Sequence, residues 1–166
     1  MSLANNLGLR AASSSSTFIT THYGPAFLAF HFIFAYGVLS SRTLKQWYGI
    51  DHNASPREDL AKYGDAAVRS GKITQNQLNM LRRCESAHAN AVENYTFFVG
   101  AMAFATLAGV DREHVNCAGL TYTIARVAYG FVYILIDHDL WSQIRGVLWW
   151  LGNLSCLYLL RKSWES

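Results

Sequence analysis

Proline is almost absent from this chain, acidic residues are few, and cysteine occurs only three times. With two prolines and twelve glycines in 166 residues, neither a disordered chain nor a turn-dense β fold is indicated. Cys84, Cys117 and Cys156 form an odd set without metal-ligand spacing, so we expect free thiols and no metal site. The net charge of +3 is small and dispersed, which argues against a nucleic-acid partner.

What the sequence does contain is apolar. Hydrophobic residues make up 51% of the chain and charged residues 15%, against ~25% charged residues in a typical soluble domain. The apolar residues fall into four blocks, each near the ~20 residues that a membrane-spanning helix needs. These blocks cover residues 23–40, 95–110, 115–136 and 140–160. The sequence therefore predicts a single all-α domain over residues 1–166, an integral membrane four-helix bundle.

Two polar segments flank the first block. Residues 1–21 form a Ser-rich tail without an apolar core, so we expect no cleavable signal peptide, and a transit peptide is the alternative. Residues 42–82 form a loop that carries half of the lysines and arginines, and Arg83 follows it directly. The positive-inside rule places this loop on the cytosolic side of the membrane.

The loop contains two signals for the start of a helix. Ser55, followed by Pro56 and Glu58, resembles a capping box and predicts a short helix over 57–68. Thr74 and Gln77 repeat the pattern and predict a second helix. This helix should continue from the loop through the bilayer, since no residue interrupts it before the glycines of the second apolar block.

Three ionisable residues, Glu93, Arg126 and Arg145, lie in or beside the apolar blocks at the cytosolic level. A lone carboxylate there is costly unless it is paired or lines a wet cavity. A structural ion pair between Glu93 and Arg126 is one explanation, and interfacial placement of Arg145 is another. Because Tyr129 and Tyr133 share a helix face with Arg126, the alternative is a pocket for a small zwitterionic, anionic ligand beside an apolar partner.

Three motifs together resemble the MAPEG family, the membrane-associated proteins of eicosanoid and glutathione metabolism. They are AHANAVEN from Ala87, ARVAY from Ala125 with Tyr133, and IRG from Ile144. The resemblance covers roughly residues 81–160 in order and spacing. It implies a four-helix subunit in a homotrimer of the endoplasmic reticulum membrane, with glutathione as co-substrate bound between neighbouring subunits near the cytosolic face.

Transferred by position, the resemblance implies roles for individual residues. The glutathione-binding set comprises Arg83, His88, Asn90, Glu93, Arg126, Tyr129 and Tyr133. Asn90 and Glu93 would hold the amino end of the tripeptide, and Arg126 would support Glu93 or a ligand carboxylate. Arg145 would face the sulfur as the catalytic residue. A thiol with a pKa of about 8.5 is mostly protonated at neutral pH, and a fixed cation favours its nucleophilic thiolate.

The chain departs from the family pattern at two positions. Some relatives carry an arginine at the position of Ser86, and one branch carries another at Ala89, where these arginines help to bind glutathione carboxylates. Arg83 lies on the same helical stripe as Asn90, two turns earlier, and is a candidate substitute. Arg42, at the end of the first apolar block, is a second candidate for this function.

The leading functional hypothesis is a glutathione-dependent membrane transferase or peroxidase acting on apolar electrophiles or lipid hydroperoxides. The alternative is a non-catalytic membrane scaffold or lipid-binding protein that keeps the same bundle. A transporter subunit is disfavoured, because no helix is interrupted in the way that marks a translocation site.

Overall fold

The computed structural model describes residues 21–138, 141 and 143–166 and shows an all-α protein in that part of the chain. The α-helices, in chain order, are α1 (Gly24–Ile33), α2 (Arg42–Trp47), α3 (Asp59–Arg69), α4 (Gln75–Leu107), α5 (Arg112–Leu135) and α6 (Ile144–Glu165). A π-helical turn, Phe34–Val38, extends α1. Residues 1–20 of the predicted polar tail, and Leu140 at the start of the fourth apolar block, lie outside the described residues.

Long helical segments occur at all four predicted positions. Two of them, Gly24–Trp47 and Arg112–Leu135, are long and apolar enough to cross a membrane, judged by length and composition alone. The first includes α1, the π-helical turn and α2. With 33 residues, α4 is longer than the ~30 Å hydrocarbon core requires, but its first half is polar. Membrane crossing by α4 and α6 stays a prediction.

One of the two predicted capping boxes is confirmed. At the start of α4, the Gln77 amide donates to Thr74 Oγ1 at 3.2 Å, and the Thr74 amide donates to Gln77 Oε1 at 2.7 Å. The capping box at Ser55 was wrong, because α3 begins later and its N-cap, Glu58, makes no side-chain capping bond. Residues 55–58 form turns instead, and Asp59 is drawn into a buried ion pair described below.

The bounds of the last two helices also differ from the prediction. The helix predicted from Val115 begins at Arg112, because Asp111 takes the N-cap position and the polar residues after it are already helical. The fourth long helix covers Ile144–Glu165, whereas the apolar block covers 140–160. Polarity marks the edge of an apolar block, and a helix can extend past that edge.

The largest apolar cluster of the described residues lies between the long helices. Helix α5 packs against both α4 and α6, and α1 lies against α4 and α5. Phe98 and Tyr122 stack at 3.9 Å between ring centroids, and His31 packs on both rings. The His31 imidazole is buried and hydrogen-bonded to Thr123 at 3.0 Å, so it serves the packing of α1 on α5.

Gly119 allows this close approach of α1 to α5. A Cβ atom at position 119 would clash with the Phe27 ring and would lie 3.1 Å from Met102 Cε. Gly119→Ala is therefore expected to destabilise the bundle by about 1–3 kcal/mol, because the ring and the helix behind it have to shift. Thermal unfolding in detergent measures the loss. Gly146→Ala is the matched control, since nothing lies within 4 Å of that site. Equal melting temperatures for the two variants would contradict the packing argument.

The loop between the first two long segments folds onto α4 with a small core of its own. That core consists of Ile50, Leu60, Ala67, Ile73, Leu78 and Leu81. Gly49 and Gly71, both with positive φ, lie at the turns that follow α2 and α3. The polar loop is thus an ordered structure at the end of the bundle.

Candidate functional site

Arg126 occupies the centre of the candidate site. Its side chain, on α5, is buried with 3% of the residue exposed. Its Nη2 donates to Asn90 Oδ1 at 2.7 Å and to the Asn90 carbonyl at 3.2 Å, which ties α5 to α4. The guanidinium carbon lies 4.5 Å from the centroid of the Tyr129 ring. Its Nη1 atom has no hydrogen-bond partner among the described residues.

The predicted polar face of α5 continues to Arg145 at the start of α6. The Tyr129 and Tyr133 rings lie 5.5 Å apart. The guanidinium carbon of Arg145 lies 4.5 Å from the Tyr133 ring centroid. Two neighbouring aromatic rings therefore connect Arg126 to Arg145, and each cation lies over a ring face that attracts it. The structure brings Arg145 of α6 to the face of α5 on which sequence spacing had placed Arg126, Tyr129 and Tyr133.

Glu93 does not join this row. It is exposed, and it makes no hydrogen bond or ion pair with the described residues, so the structural ion pair with Arg126 is wrong. Asn90, one turn earlier on α4, takes the Arg126 donor instead. Glu93 lines a cavity on the adjoining face of α4. An exposed carboxylate in this position remains available for a ligand.

The cavity lies between the end of the first segment, the loop and α4, and its volume is about 500 Å³. That volume is within the range of roughly 300–1,000 Å³ typical of ligand pockets. Its walls are formed by Ser40, Ser41, Arg42, Lys45, Pro56, Arg57, Glu85, His88, Ala89, Val92 and Glu93. His88 is held in place, because its Nδ1 donates to the Ala35 carbonyl at 2.8 Å. Three predicted site residues of α4 therefore divide between two faces of the helix. His88 and Glu93 line the cavity, whereas Asn90 contacts Arg126.

Arg83 belongs to neither group. Its Nε donates to the Ile134 carbonyl at 3.1 Å, and its Nη1 lies 2.8 Å from Asp137 Oδ2. A cation placed against the last carbonyls of α5 stabilises the negative end of that helix. The guanidinium thus fastens α4 to the segment that leads to Arg145, although Arg83 and Asn90 share a helical stripe.

Lys45 forms an ion-pair network at the base of the cavity that sequence reasoning missed. Its side chain is 4% exposed, and its Nζ lies 3.1 Å from Glu85 Oε1 and 3.5 Å from Asp59 Oδ2. The same ammonium donates to the Pro56 carbonyl. The buried Asp59 also accepts from the backbone amide of His52 at 3.1 Å. The network connects α2, the loop, α3 and α4.

Cys84, beside this network, is a buried thiol whose surroundings disfavour the thiolate form. It is buried and donates weakly to the Leu39 carbonyl at 3.5 Å. Burial raises the pKa of the Cys84 thiol, the neighbouring Glu85 carboxylate raises it further, and Lys45 opposes the rise. All three cysteines are free thiols, as predicted.

The fold and the site define an all-α protein with two candidate membrane-spanning helices, a buried arginine and a row of tyrosines between Arg126 and Arg145. The sequence profile of the MAPEG family matches residues 20–163, so the chain belongs to the MAPEG family. Most members of that family are glutathione-dependent enzymes. No curated protein and no solved structure matches the chain.

Proposed function

We propose that the protein is a glutathione-dependent transferase or peroxidase of the endoplasmic reticulum membrane that acts on apolar electrophiles or lipid hydroperoxides. The single observation that carries the proposal is the position of Arg145, whose guanidinium lies on the Tyr133 ring at the end of the row from Arg126. A fixed cation at that point favours the thiolate of a bound thiol, and the thiolate is the nucleophile.

The remaining polar groups suit the rest of the tripeptide. Glu93 offers a carboxylate to the glutathione amino group, whereas Asn90, on the other face of α4, holds the Arg126 guanidinium in place. Tyr129 and Tyr133 line the path from Arg126 towards Arg145. The tripeptide then extends from Glu93 on α4 along the tyrosines of α5, and its sulfur lies at Arg145. The electrophile approaches the sulfur from the lipid.

A second subunit completes this site in the proposed homotrimer. Apart from Glu93, helix α4 has an exposed face of small side chains, and small residues let helices pack closely in membranes. This face includes Ser86, Ala89, Glu93, Thr96 and Ala103. Because Glu93 lies on it, the cavity of one subunit would meet the Arg145 row of its neighbour, with the loop on the cytosolic side.

The proposed chemistry takes two forms at the same sulfur. With an aryl halide, the thiolate forms a carbon–sulfur bond and halide leaves. With a lipid hydroperoxide, the thiolate attacks the outer oxygen, the O–O bond breaks, and the alkoxide takes a proton to become an alcohol. The resulting glutathione sulfenic acid reacts with a second glutathione to give the disulfide and water.

Purified protein in detergent tests the proposal. Conjugation of glutathione to an aryl halide and reduction of a lipid hydroperoxide are measured separately, together with glutathione binding by calorimetry. Activity above the uncatalysed rate in either assay, with saturable binding, is the expected result. Absence of both activities and of binding would overturn the enzyme proposal and favour a non-catalytic lipid-binding scaffold.

A further inference from the structure

The cavity beside α4 is lined by two charged side chains that have no partner in the part of the chain that the structure describes. Arg57 and Glu93 line it, and within the described residues neither makes a hydrogen bond or an ion pair. The other charges on its walls are engaged. Arg42 donates to Asn53 at 2.5 Å and lies 3.6 Å from Asp51. One cation and one carboxylate therefore face the cavity without partners.

Neither of these two side chains is held by its own contacts, but the backbone that carries Arg57 is fixed. The Lys45 ammonium binds the carbonyl of Pro56, the residue before Arg57. On the other side, the Glu58 amide donates to the Ser55 carbonyl at 3.0 Å, which closes a turn around Arg57. Since Lys45 is itself buried and paired with Glu85 on α4, the Arg57 side chain leaves the backbone at a fixed position beside the cavity.

The opposite wall provides room for a ligand. Ala89 and Val92 form it together with Glu93, and Ala89 is exposed, so no long side chain fills the space between α4 and the loop. Serine hydroxyls from the end of the first segment complete the rim. A free guanidinium and a free carboxylate on the walls of one cavity match a ligand group that carries an ammonium and a carboxylate together.

We propose that Arg57 is a specificity residue that binds the α-carboxylate of the γ-glutamyl end of glutathione, beside the ammonium held by Glu93. The cavity then recognises an α-amino acid head group. This inference rests on the proposed glutathione-dependent function and adds Arg57, a cation of the loop, to the proposed binding site. The α-carboxylate and ammonium share one carbon atom, so a single cavity can bind both, and the cysteinyl sulfur extends out of it.

Two glutathione analogues, each lacking one charged group of the γ-glutamyl end, test the contributions of the two groups separately. 4-Aminobutanoyl-cysteinylglycine lacks the α-carboxylate, and glutaryl-cysteinylglycine lacks the amino group. Calorimetry on the full chain in detergent measures the Kd of each analogue for wild type, Arg57→Ala and Glu93→Gln. Arg57→Ala is expected to weaken glutathione binding roughly fivefold, the effect of losing an ion pair that is partly open to solvent. It should leave the Kd of the carboxylate-free analogue unchanged.

Arg69→Ala is the matched control, because Arg69 is an exposed arginine of the same loop that does not line the cavity. It should bind glutathione as wild type does. The inference is overturned if Arg57→Ala binds glutathione with the wild-type Kd, or if it weakens the carboxylate-free analogue as much as glutathione. If wild type binds no glutathione, the proposed function itself fails, and that result is distinct from either of these.

Discussion

Arg145→Ala is expected to lower the turnover of glutathione conjugation by roughly 10²-fold, the effect of removing one preorganised charge-stabilising group. Arg145 lies over the Tyr133 ring and is half-buried, so its charge is less screened than that of a free surface arginine. Without it, more of the bound glutathione stays protonated at neutral pH. The difference is measured as kcat, and as the ultraviolet absorbance of the thiolate in the glutathione complex.

The same role of Arg145 predicts a direction for the change in the pH dependence of the rate. If Arg145 lowers the thiol pKa, the rate of the variant should rise with pH over a higher range than that of wild type, and the deficit should shrink in alkaline solution. The Kd of glutathione should change less than kcat, because Arg145 acts on the sulfur. Arg145→Lys keeps the charge but not the planar group that stacks on Tyr133, so we expect intermediate activity.

Arg161→Ala is the matched control on the same helix. Arg161 lies near the other end of α6, exposed and paired with Glu165 at 2.7 Å, so its loss should leave turnover unchanged. If Arg145→Ala kept wild-type turnover and thiolate absorbance, Arg145 would have no part in catalysis. Equal losses in both arginine variants would indicate a general effect on α6.

Sequence spacing predicted the part of the site that lies on one helix. Arg126, Tyr129 and Tyr133 recur at three- and four-residue intervals, and helix geometry alone places them on one face. The Thr74 capping box was predicted for the same reason, because its reciprocal hydrogen bonds join residues three apart. Such arguments need only the local backbone.

The cavity depends on contacts between residues that are distant in sequence, and no local pattern predicts these. Lys45 and Glu85 are forty positions apart, and their ion pair forms only because the loop folds back on α4. The Ser55 motif gave the wrong start for α3, which begins at Asp59, and the Asp59 carboxylate belongs to this network. The sequence marks Glu93 as an isolated charge beside an apolar block, but it does not show which cavity the residue lines.

Lys45→Met is expected to destabilise the folded loop by about 3–5 kcal/mol, the usual effect of removing one partner of a buried ion pair. The Asp59 side chain is 0% exposed, and without Lys45 its remaining polar contacts among the described residues come from His52, including the ring nitrogen at 3.0 Å. Hydrogen exchange of the α3 amides measures the opening of the loop. Alkylation of the buried Cys84 provides a second measurement.

Cys84 distinguishes opening from a purely electrostatic effect. Lys45 lowers the pKa of the Cys84 thiol, so its removal alone would slow alkylation of the closed protein. Faster alkylation in Lys45→Met therefore reports opening of the loop. Lys62→Met is the control, because Lys62 pairs with Glu58 on the surface, where both side chains are 53% exposed and solvent screens the pair.

The double variant Lys45→Met with Asp59→Leu tests the cause of the loss. It removes the buried carboxylate together with its partner, and replacing a whole buried pair by apolar residues is often neutral or stabilising. We therefore expect it to recover most of the protection of the α3 amides. If Lys45→Met alone matched Lys62→Met in hydrogen exchange, the ion pair would not hold the loop, and the fixed position inferred for the Arg57 backbone would lose its physical basis.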